Sequence, residues 1–564
     1  MSADKPVPYL TQQIIPYIGN KRRLLPLIKK AVDLALPGGS QGKRFLDLFS
    51  GSGVVARLAK YLGFEVAAND WEHYSYILTY AYLCIDRREL EAMFTLWGGV
   101  EGIIAHLNSL PRPQHEYIAR YFCPKDDERP DYRTERLFYT RYNGLFIDKV
   151  RNEIESLYPE REVESDEKLY KEKVLLLALL LYGAATHTNT SGVFKAYHKG
   201  FGGHSRDALE RIMKPITLPY PQLIDSERRM RVYREDAKIV VKAESAADRP
   251  YDIVYLDPPY NQHQYGSNYH MLNTIVLWDA IPMNESISPG KGGQNRAGIR
   301  KDWVKTRSDY CYRDRALAAF EDLIGSINSH NILISYSTEG TIPFDSMIDV
   351  CAARGKVSLV TDEYVKYRGG RQSLYRLNNN VEFVIIVDMT KRSAGSDRRR
   401  IDESILYRKL LLQAKKCYSR ERLEEHFLVD PVSCSIGIGD GGSAYWIVTK
   451  YLHRIDEKSF ESVVERLSGR ERKKLLELLL LCECREMTEE IDETIRVLDG
   501  GGGDTFILRL PTALKKICHR KYEELFYRYL AKIKYLKNLY PSLYPRIEGK
   551  VSEIEALATR RFIG

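Results

Sequence analysis

The stretch "YDIVYLDPPY" (251–260) ends an apolar, strand-forming run in an acid, two prolines and an aromatic ring. Proline has no N–H to donate and stops a strand. The Asp257 carboxylate and the Pro258 carbonyl would then leave the strand end as two acceptors. Pro259 stiffens the turn, and an exocyclic amino group carries two hydrogens that match the two acceptors. Tyr260 adds a flat face on which a planar base can stack. An ordinary Pro-Pro turn at the start of a loop has the same composition. A second stretch, "FLDLFSGSGVVARLAK" (45–60), has the form strand, acid, Gly-x-Gly, helix. Gly51 and Gly53 allow a close backbone approach and positive φ, and the helix start offers free N–H groups. Asp70 ends the next strand-like run nineteen positions after Gly51, where an acid accepts bonds from ribose hydroxyls. Ala56 and Arg57 stand where the dinucleotide fingerprint has its third glycine, which argues against a pyrophosphate ligand. Asp47 would repel a phosphate but suits an ammonium group. An adenosine-type ligand beside a bound amino-bearing base accounts for both stretches. A lone Gly-x-Gly is also found as a mere tight turn.

The elements that must position these residues alternate. A helical pattern at 21–36 precedes a strand at 44–50, the glycine turn, a helix and a strand at 64–70. This βαβ order predicts a parallel sheet with helices on its faces. Strand patterns return at 230–236, 251–257, 331–337, 356–367 and 381–388. Between 72 and 229 the pattern is helical with polar loops. The expectation is an α/β fold with a Rossmann-like, mostly parallel sheet built from 10–71 and 230–390. A helical insertion at 72–229 splits it. The polar run "KRSAGSDRRR" (391–400) marks the start of a mainly helical C-terminal domain, 391–564.

The 564 residues exceed what one core organises, and 44% hydrophobic with 29% charged residues is a globular composition. No apolar run is long enough to span a bilayer, and "MSADKPVPYL" is not a signal peptide. The nine cysteines are scattered, and no second pair joins Cys482 and Cys484 to make a metal site. Net charge is +9, of which about +7 falls after residue 390. Such basicity is compatible with a nucleic-acid partner without requiring one. A Pro-Cys dipeptide, with its cysteine nucleophile, is absent.

"PYIGNKRRLLPLI" (16–28), "DLFSGSG" (47–53) and "DPPY" (257–260) stand in the order of the cofactor and catalytic motifs of the class α (Dam-like) N6-adenine-specific DNA methyltransferases, which this chain resembles. "NGLFIDKVRNEIE" (143–155) and "TNTSGVFKAYHKGFGG" (188–203) resemble segments of that family's target-recognition insertion, and 367–387 its closing strands. The resemblance covers about residues 10–390. It implies S-adenosylmethionine as donor and double-stranded DNA as partner. Carried over by position, Tyr17, Gly19 and Lys21 would border the donor's methionine end. Asp47, Phe49, Gly51 and Gly53 would form its cradle, Asp70 would take the ribose hydroxyls and Asp236 would read the donor's adenine. Asp257, Pro258, Pro259 and Tyr260 would be the catalytic loop. The leading Asp257 favours adenine N6. Cytosine N4, an RNA or protein amino group, and a catalytically silent DNA-binding subunit are the alternatives. Target readers are expected among Arg133, Arg136, Tyr139, Arg141, Tyr142, Lys149, Arg151, Lys195, His198, Lys199 and His204. No metal is expected. The family implies a cytoplasmic bacterial or phage-encoded enzyme in a restriction-modification or defence setting, with an accessory or restriction subunit as a possible partner.

Overall fold

The computed structural model describes residues 7–203, 208–245, 249–285, 287, 296–361, 381–430, 432–438, 445–450, 454–486, 488–499 and 506–563. The chain divides into two compact units, at Arg398/Arg399. That division lies inside the helix Gly395–Gln413, a few residues beyond the polar run that marks it in the sequence.

The first unit is built on seven strands: β1 (Arg44–Asp47), β2 (Glu65–Asn69), β3 (Met230–Tyr233), β4 (Tyr251–Leu256), β5 (Ser329–Ser337), β6 (Lys356–Thr361) and β7 (Glu382–Asp388). Their order is β3-β2-β1-β4-β5-β7-β6. β1 to β5 are parallel, and β7 runs antiparallel between β5 and β6. β1 and β4 are buried on both faces, which explains why their sequences read as unbroken apolar runs rather than alternating ones. The strand order reverses between β1 and β4, so a crevice opens at their carboxyl ends. Leu48 N–H donates to the Tyr255 carbonyl at 3.1 Å and ties those two ends together. The closing-strand reading is met at 381–388, while 367–380 lies outside the described residues.

One sheet face carries the core around Ile28, Phe45, Val55, Val66 and Val384. A larger core belongs to the insertion between β2 and β3. There the helix Glu167–Thr186 packs on Arg141–Leu157, on His73–Cys84 and on His270–Leu277, which follows β4. "VLLLALLL" is buried on all sides of its helix, as an all-apolar helical run must be. Asp166 caps that helix by accepting from the N–H groups of Lys168 and Leu169.

Several expected target readers are spent on this core. Arg151 is 0% exposed. Its Nε donates to the Ile275 carbonyl at 2.6 Å, and its guanidinium pairs with Glu155 at 2.7 Å and lies over Trp278. Arg136 donates to the carbonyls of Arg296, Tyr121 and Asn284. Tyr139 is fully buried, Arg141 pairs with Glu116, and Lys149 donates to the Leu110 carbonyl at 2.7 Å. Burial corrects the reading of Arg136, Tyr139 and Arg151, because a side chain closed into the core cannot meet a base edge. Arg151→Ala is expected to cost roughly 3 kcal/mol of stability, since it removes the core bond to Ile275 and strips Glu155 of one partner. The check is a lowered thermal midpoint in the full-length protein. Lys173, at 3.1 Å from Glu155, sets the upper limit by sharing that carboxylate.

The second unit is mainly helical but also holds a four-stranded antiparallel sheet that its sequence did not lead us to expect. Its strands are β8 (Leu428–Asp430), β9 (Ser435–Ile438), β10 (Tyr445–Lys450) and β11 (Arg454–Ile455), in the order β11-β10-β9-β8. They are short, and one carries Gly437, so their periodicity is weak. Helices such as Glu523–Leu539 and Pro545–Ile563 close a separate core. Among the described residues, no helix is long and apolar enough to cross a membrane.

Candidate active site

The carboxyl ends of β1, β2 and β4 meet at a cavity of about 240 Å³. Tyr17, Gly19, Phe49, Asp70, Asp236, Asp257, Pro258, Pro259 and Tyr260 all line it. Lys21, Asp47, Gly51 and Gly53 are not among its lining residues.

The glycine turn follows β1. Gly51 has φ +54° and Gly53, which starts the helix Val54–Tyr61, has φ +71°. A Cβ on Gly51 would lie 2.6 Å from the Tyr17 ring. The Gly51 N–H donates to Asp70 Oδ2 at 2.8 Å, and the Glu72 N–H donates to Oδ1 at 3.0 Å. Asp70 thus holds the turn while it faces the cavity. Gly51→Ala is expected to lower donor affinity at least tenfold, because the methyl drives Tyr17 into the cavity and the φ disfavours a side chain. Donor binding by calorimetry checks this, and an unchanged dissociation constant would refute it.

Asp47 is 1% exposed, and neither carboxylate oxygen makes a hydrogen bond of good geometry among the described residues. Burial, and then the charge of Asp257, push its carboxyl well above the usual range, and the Phe49 and Ala56 N–H groups offset this only weakly. A buried acid in this state lacks a cationic partner. The cavity lining is acidic throughout, with Asp70, Glu72, Glu235, Asp236, Asp257 and Asp309 against Arg307 and the Asp322-paired Lys238. The donor set therefore fits a cationic ligand and rejects a phosphate-bearing one.

Asp257 continues from β4. Lys21 Nζ pairs with its Oδ1 at 2.9 Å, with Lys21 3% and Asp257 17% exposed. Lys21 Nζ also lies 4.9 Å from the centre of the Tyr260 ring. Burial raises the Asp257 carboxyl to about 6, with Lys21 working in the opposite direction. The ion pair holds Lys21 firmly protonated. Lys21 thus meets the Asp257 carboxylate, a contact that the expected place beside a methionine end did not include. The Tyr260 ring packs edge-on to Tyr336 at 5.8 Å, and a Cβ on Gly19 would approach its hydroxyl to 3.1 Å. Its carbonyl accepts from the Thr341 N–H at 3.2 Å.

The segment that follows Tyr260, 261–274, is largely a buried brace whose Tyr265 lines the cavity. Tyr269 stacks on Tyr17 at 5.0 Å and its hydroxyl accepts from the Ile18 N–H at 2.8 Å. The Tyr265 hydroxyl donates to the Ile18 carbonyl at 3.2 Å. Gln264 exchanges two bonds with the Ser308 backbone, at 3.0 and 2.8 Å, which fixes the cavity wall 306–310. His270 is buried, pushed down to about 4 by burial, and donates from Nε2 to the Phe194 carbonyl.

Sequence reasoning missed the wall residue Tyr310, which packs edge-on to Phe49 at 5.4 Å. It also missed Glu72, whose Oε2 accepts from Asn273 Nδ2 at 2.6 Å and whose carboxyl burial raises to about 7. Glu72 lies two positions after the strand-end acid, which was its one available signal. No group of His, Cys, Asp and Glu side chains among the described residues is arranged to hold a metal ion. Of the expected readers, Arg133, Tyr142, Lys195 and Lys199 are exposed, and His204 falls outside the described residues. In the second unit, three lysines of the helix Glu523–Leu539 are already paired: Lys532 with Asp492, Lys534 with Glu555 and Lys537 with Glu548.

A sheet of this order, with a glycine turn and an Asp-Pro-Pro-Tyr loop on one cavity, is that of a Rossmann-like methyltransferase. The sequence profile of the D12 class N6 adenine-specific DNA methyltransferases matches residues 17–284. Type II methyltransferase M.NlaIII of Neisseria lactamica is 31% identical over 377 residues, 66% of this chain and 99% of that enzyme. The chain belongs to the D12 class of N6 adenine-specific DNA methyltransferases. It is also similar to modification methylase LlaI of Lactococcus lactis subsp. lactis, with 27% identity over 66% of this chain and 54% of LlaI. With modification methylase StsI of Streptococcus sanguinis it shares 30% identity over 62% of this chain and 48% of StsI. The matched part thus spans nearly all of M.NlaIII and about half of LlaI and StsI.

Proposed function

We propose that this adenine methyltransferase uses S-adenosylmethionine and acts on an adenine extruded from double-stranded DNA, with Asp257, Pro258, Pro259 and Tyr260 as its catalytic loop. The observation that carries this reading is the ion-paired Asp257 on the same cavity as Asp70, Asp236 and Phe49. When bound, S-adenosylmethionine supplies an electrophilic methyl group. Asp47 and the acidic lining would hold its cationic part, Asp70 its ribose and Asp236 its adenine. Phe49, Gly51 and Gly53 would form the cradle with Tyr17, which Gly51 lets approach, while Gly19 leaves room for Tyr260.

Adenine N6 is a poor nucleophile because its lone pair is delocalised into the ring. The ionised Asp257 and the Pro258 carbonyl accept its two hydrogens and draw the nitrogen toward a pyramidal geometry. Positive charge developing on N6 is stabilised by the same two acceptors. Asp257, with its carboxyl near 6, then takes the proton that N6 loses or passes it to water. Lys21, paired with Asp257 at 2.9 Å, keeps it ionised. Tyr260 stacks on the extruded ring and offsets part of the unstacking cost.

The similarity to modification methylases supports a modification role in a bacterial or phage restriction-modification or defence system, in the cytoplasm where its DNA lies. A companion nuclease or accessory subunit fits that setting. A labelled-donor assay on duplex DNA, RNA and protein tests the reading, followed by base analysis of the product. N6-methyladenine in duplex DNA is the expected result. Label in RNA or protein, or N4-methylcytosine in DNA, would refute it.

A further inference from the structure

One segment of the insertion, 188–203, reaches the helices that follow the catalytic loop, and hydrogen bonds hold it at both ends. The Asn189 amide donates to the Leu137 carbonyl at 2.9 Å, and Asn189 Oδ1 accepts from the Gly202 N–H at 3.2 Å. Its backbone N–H donates to the Phe138 carbonyl at 2.7 Å. Five residues on, the Phe194 N–H donates to the Asn268 carbonyl at 2.7 Å, and the Phe194 carbonyl accepts from His270 Nε2 at 2.9 Å. Asn268 and His270 are both buried, so residue 194 is fixed to the helices that follow the catalytic loop.

Lys195 comes next, and it is exposed. Burial, and after it the charge of Lys195, lowers His263, three positions past Tyr260; at Cys311, next to Tyr310, burial raises the thiol and the Lys195 charge opposes it. The Cys311 thiol donates to the His263 carbonyl, so these two residues form one rim. Tyr260 and Tyr310 both line the cavity. Lys195 is therefore an ammonium mounted on a rigid backbone at the rim of an acidic cavity, and no carboxylate among the described residues forms an ion pair with it. A cationic donor is repelled there, whereas a phosphodiester is attracted. Lys199 and Arg133, both over the Tyr132 ring at 5.4 and 5.7 Å, add to the positive charge of the insertion.

We propose that Lys195 is a positioning residue that grips the phosphodiester adjoining the extruded adenosine, holding the base over Asp257 and Tyr260. The proposal rests on the catalytic-loop reading above. A lysine binds phosphate as a point charge, and such contacts set position without reading sequence. Lys195 thus fixes where the strand enters the pocket and leaves target choice to other residues.

The test uses the full-length enzyme, labelled S-adenosylmethionine and unmethylated duplex DNA of mixed sequence, at several salt concentrations. Lys195→Ala is expected to raise KM for DNA about tenfold, with a smaller change in kcat and an unchanged KM for the donor. The slope of log kcat/KM for DNA against log salt should flatten by about 0.9, the value of one lost phosphate contact. Lys195→Arg should restore most of both effects, and Lys195→Glu should exceed Lys195→Ala. An unchanged salt slope in Lys195→Ala overturns the proposal. So does a donor KM that rises as much as the DNA KM, or a Lys195→Arg enzyme as weak as Lys195→Ala. A wild-type enzyme that labels no duplex DNA would instead overturn the assigned reaction, and the role of Lys195 with it.

Discussion

Asp257→Ala is expected to abolish methyl transfer, with a loss of at least about 10²–10³-fold in kcat, the usual scale for removing one group that meets developing charge. Donor binding should survive. The charge of Asp257 works against an ionised Asp47, so its removal does not weaken the acid expected to meet the donor's cationic part. The substitution also leaves Lys21 buried without its carboxylate, a change that destabilises by roughly 3 kcal/mol. Asp257→Asn separates the two effects. It keeps an acceptor for Lys21 and nearly the same volume, but it removes the charge. A folded Asp257→Asn enzyme with full donor affinity and negligible turnover is the expected result. Retained turnover in a folded Asp257→Ala enzyme would remove Asp257 from the mechanism.

Lys21→Ala is the second large effect, and it is read in the pH profile. The reaction needs Asp257 ionised. Its carboxyl lies at about 6, so kcat/KM in the wild-type enzyme should fall as pH drops through that value. Lys21 is the partner that lowers this carboxyl, against the burial that raises it. Its removal moves the acid limb to higher pH. At pH 7 the ionised fraction, and with it kcat/KM, should fall roughly tenfold or more, because each unit of displacement past the working pH costs a factor of ten. Raising the pH should recover part of the lost rate. Lys21→Arg, which keeps the charge, should leave the limb near its wild-type place. An acid limb unmoved in Lys21→Ala would show that another group sets it.

The two predictions separate what Lys21 and Asp257 do although the residues touch. Loss of Asp257 removes an acceptor that no pH restores. Loss of Lys21 changes only the pH range over which that acceptor is charged. A rate lost at every pH in Lys21→Ala would mean that the lysine orients the carboxylate as well as ionising it.

The sequence by itself determined the local units. A strand followed by an acid, two spaced glycines and a helix specifies a tight strand-to-helix turn, because glycine adopts the positive φ of Gly51 without steric cost and leaves room for the Tyr17 ring. Asp70 was legible from its spacing, and the strand stop at Asp257 from the two prolines after it. The sheet was legible because strands buried on both faces are continuously apolar. The short strands β8 to β11 were not, since their periods are too brief to register.

Only the tertiary structure decided which charged residues meet. Lys21 and Asp257 are 236 positions apart in the chain and 2.9 Å apart in space, and nothing in either local sequence marks the other as its partner. Arg136 and Arg151 have the residue type of a guanine reader but lie in the core, bonded to backbone carbonyls. Lys195 has the same formal charge and ends at the cavity rim, because Phe194 is hooked to Asn268 and His270. Residue type sets what a side chain can bind. Its burial and its neighbours, set by contacts remote in sequence, decide what it does bind.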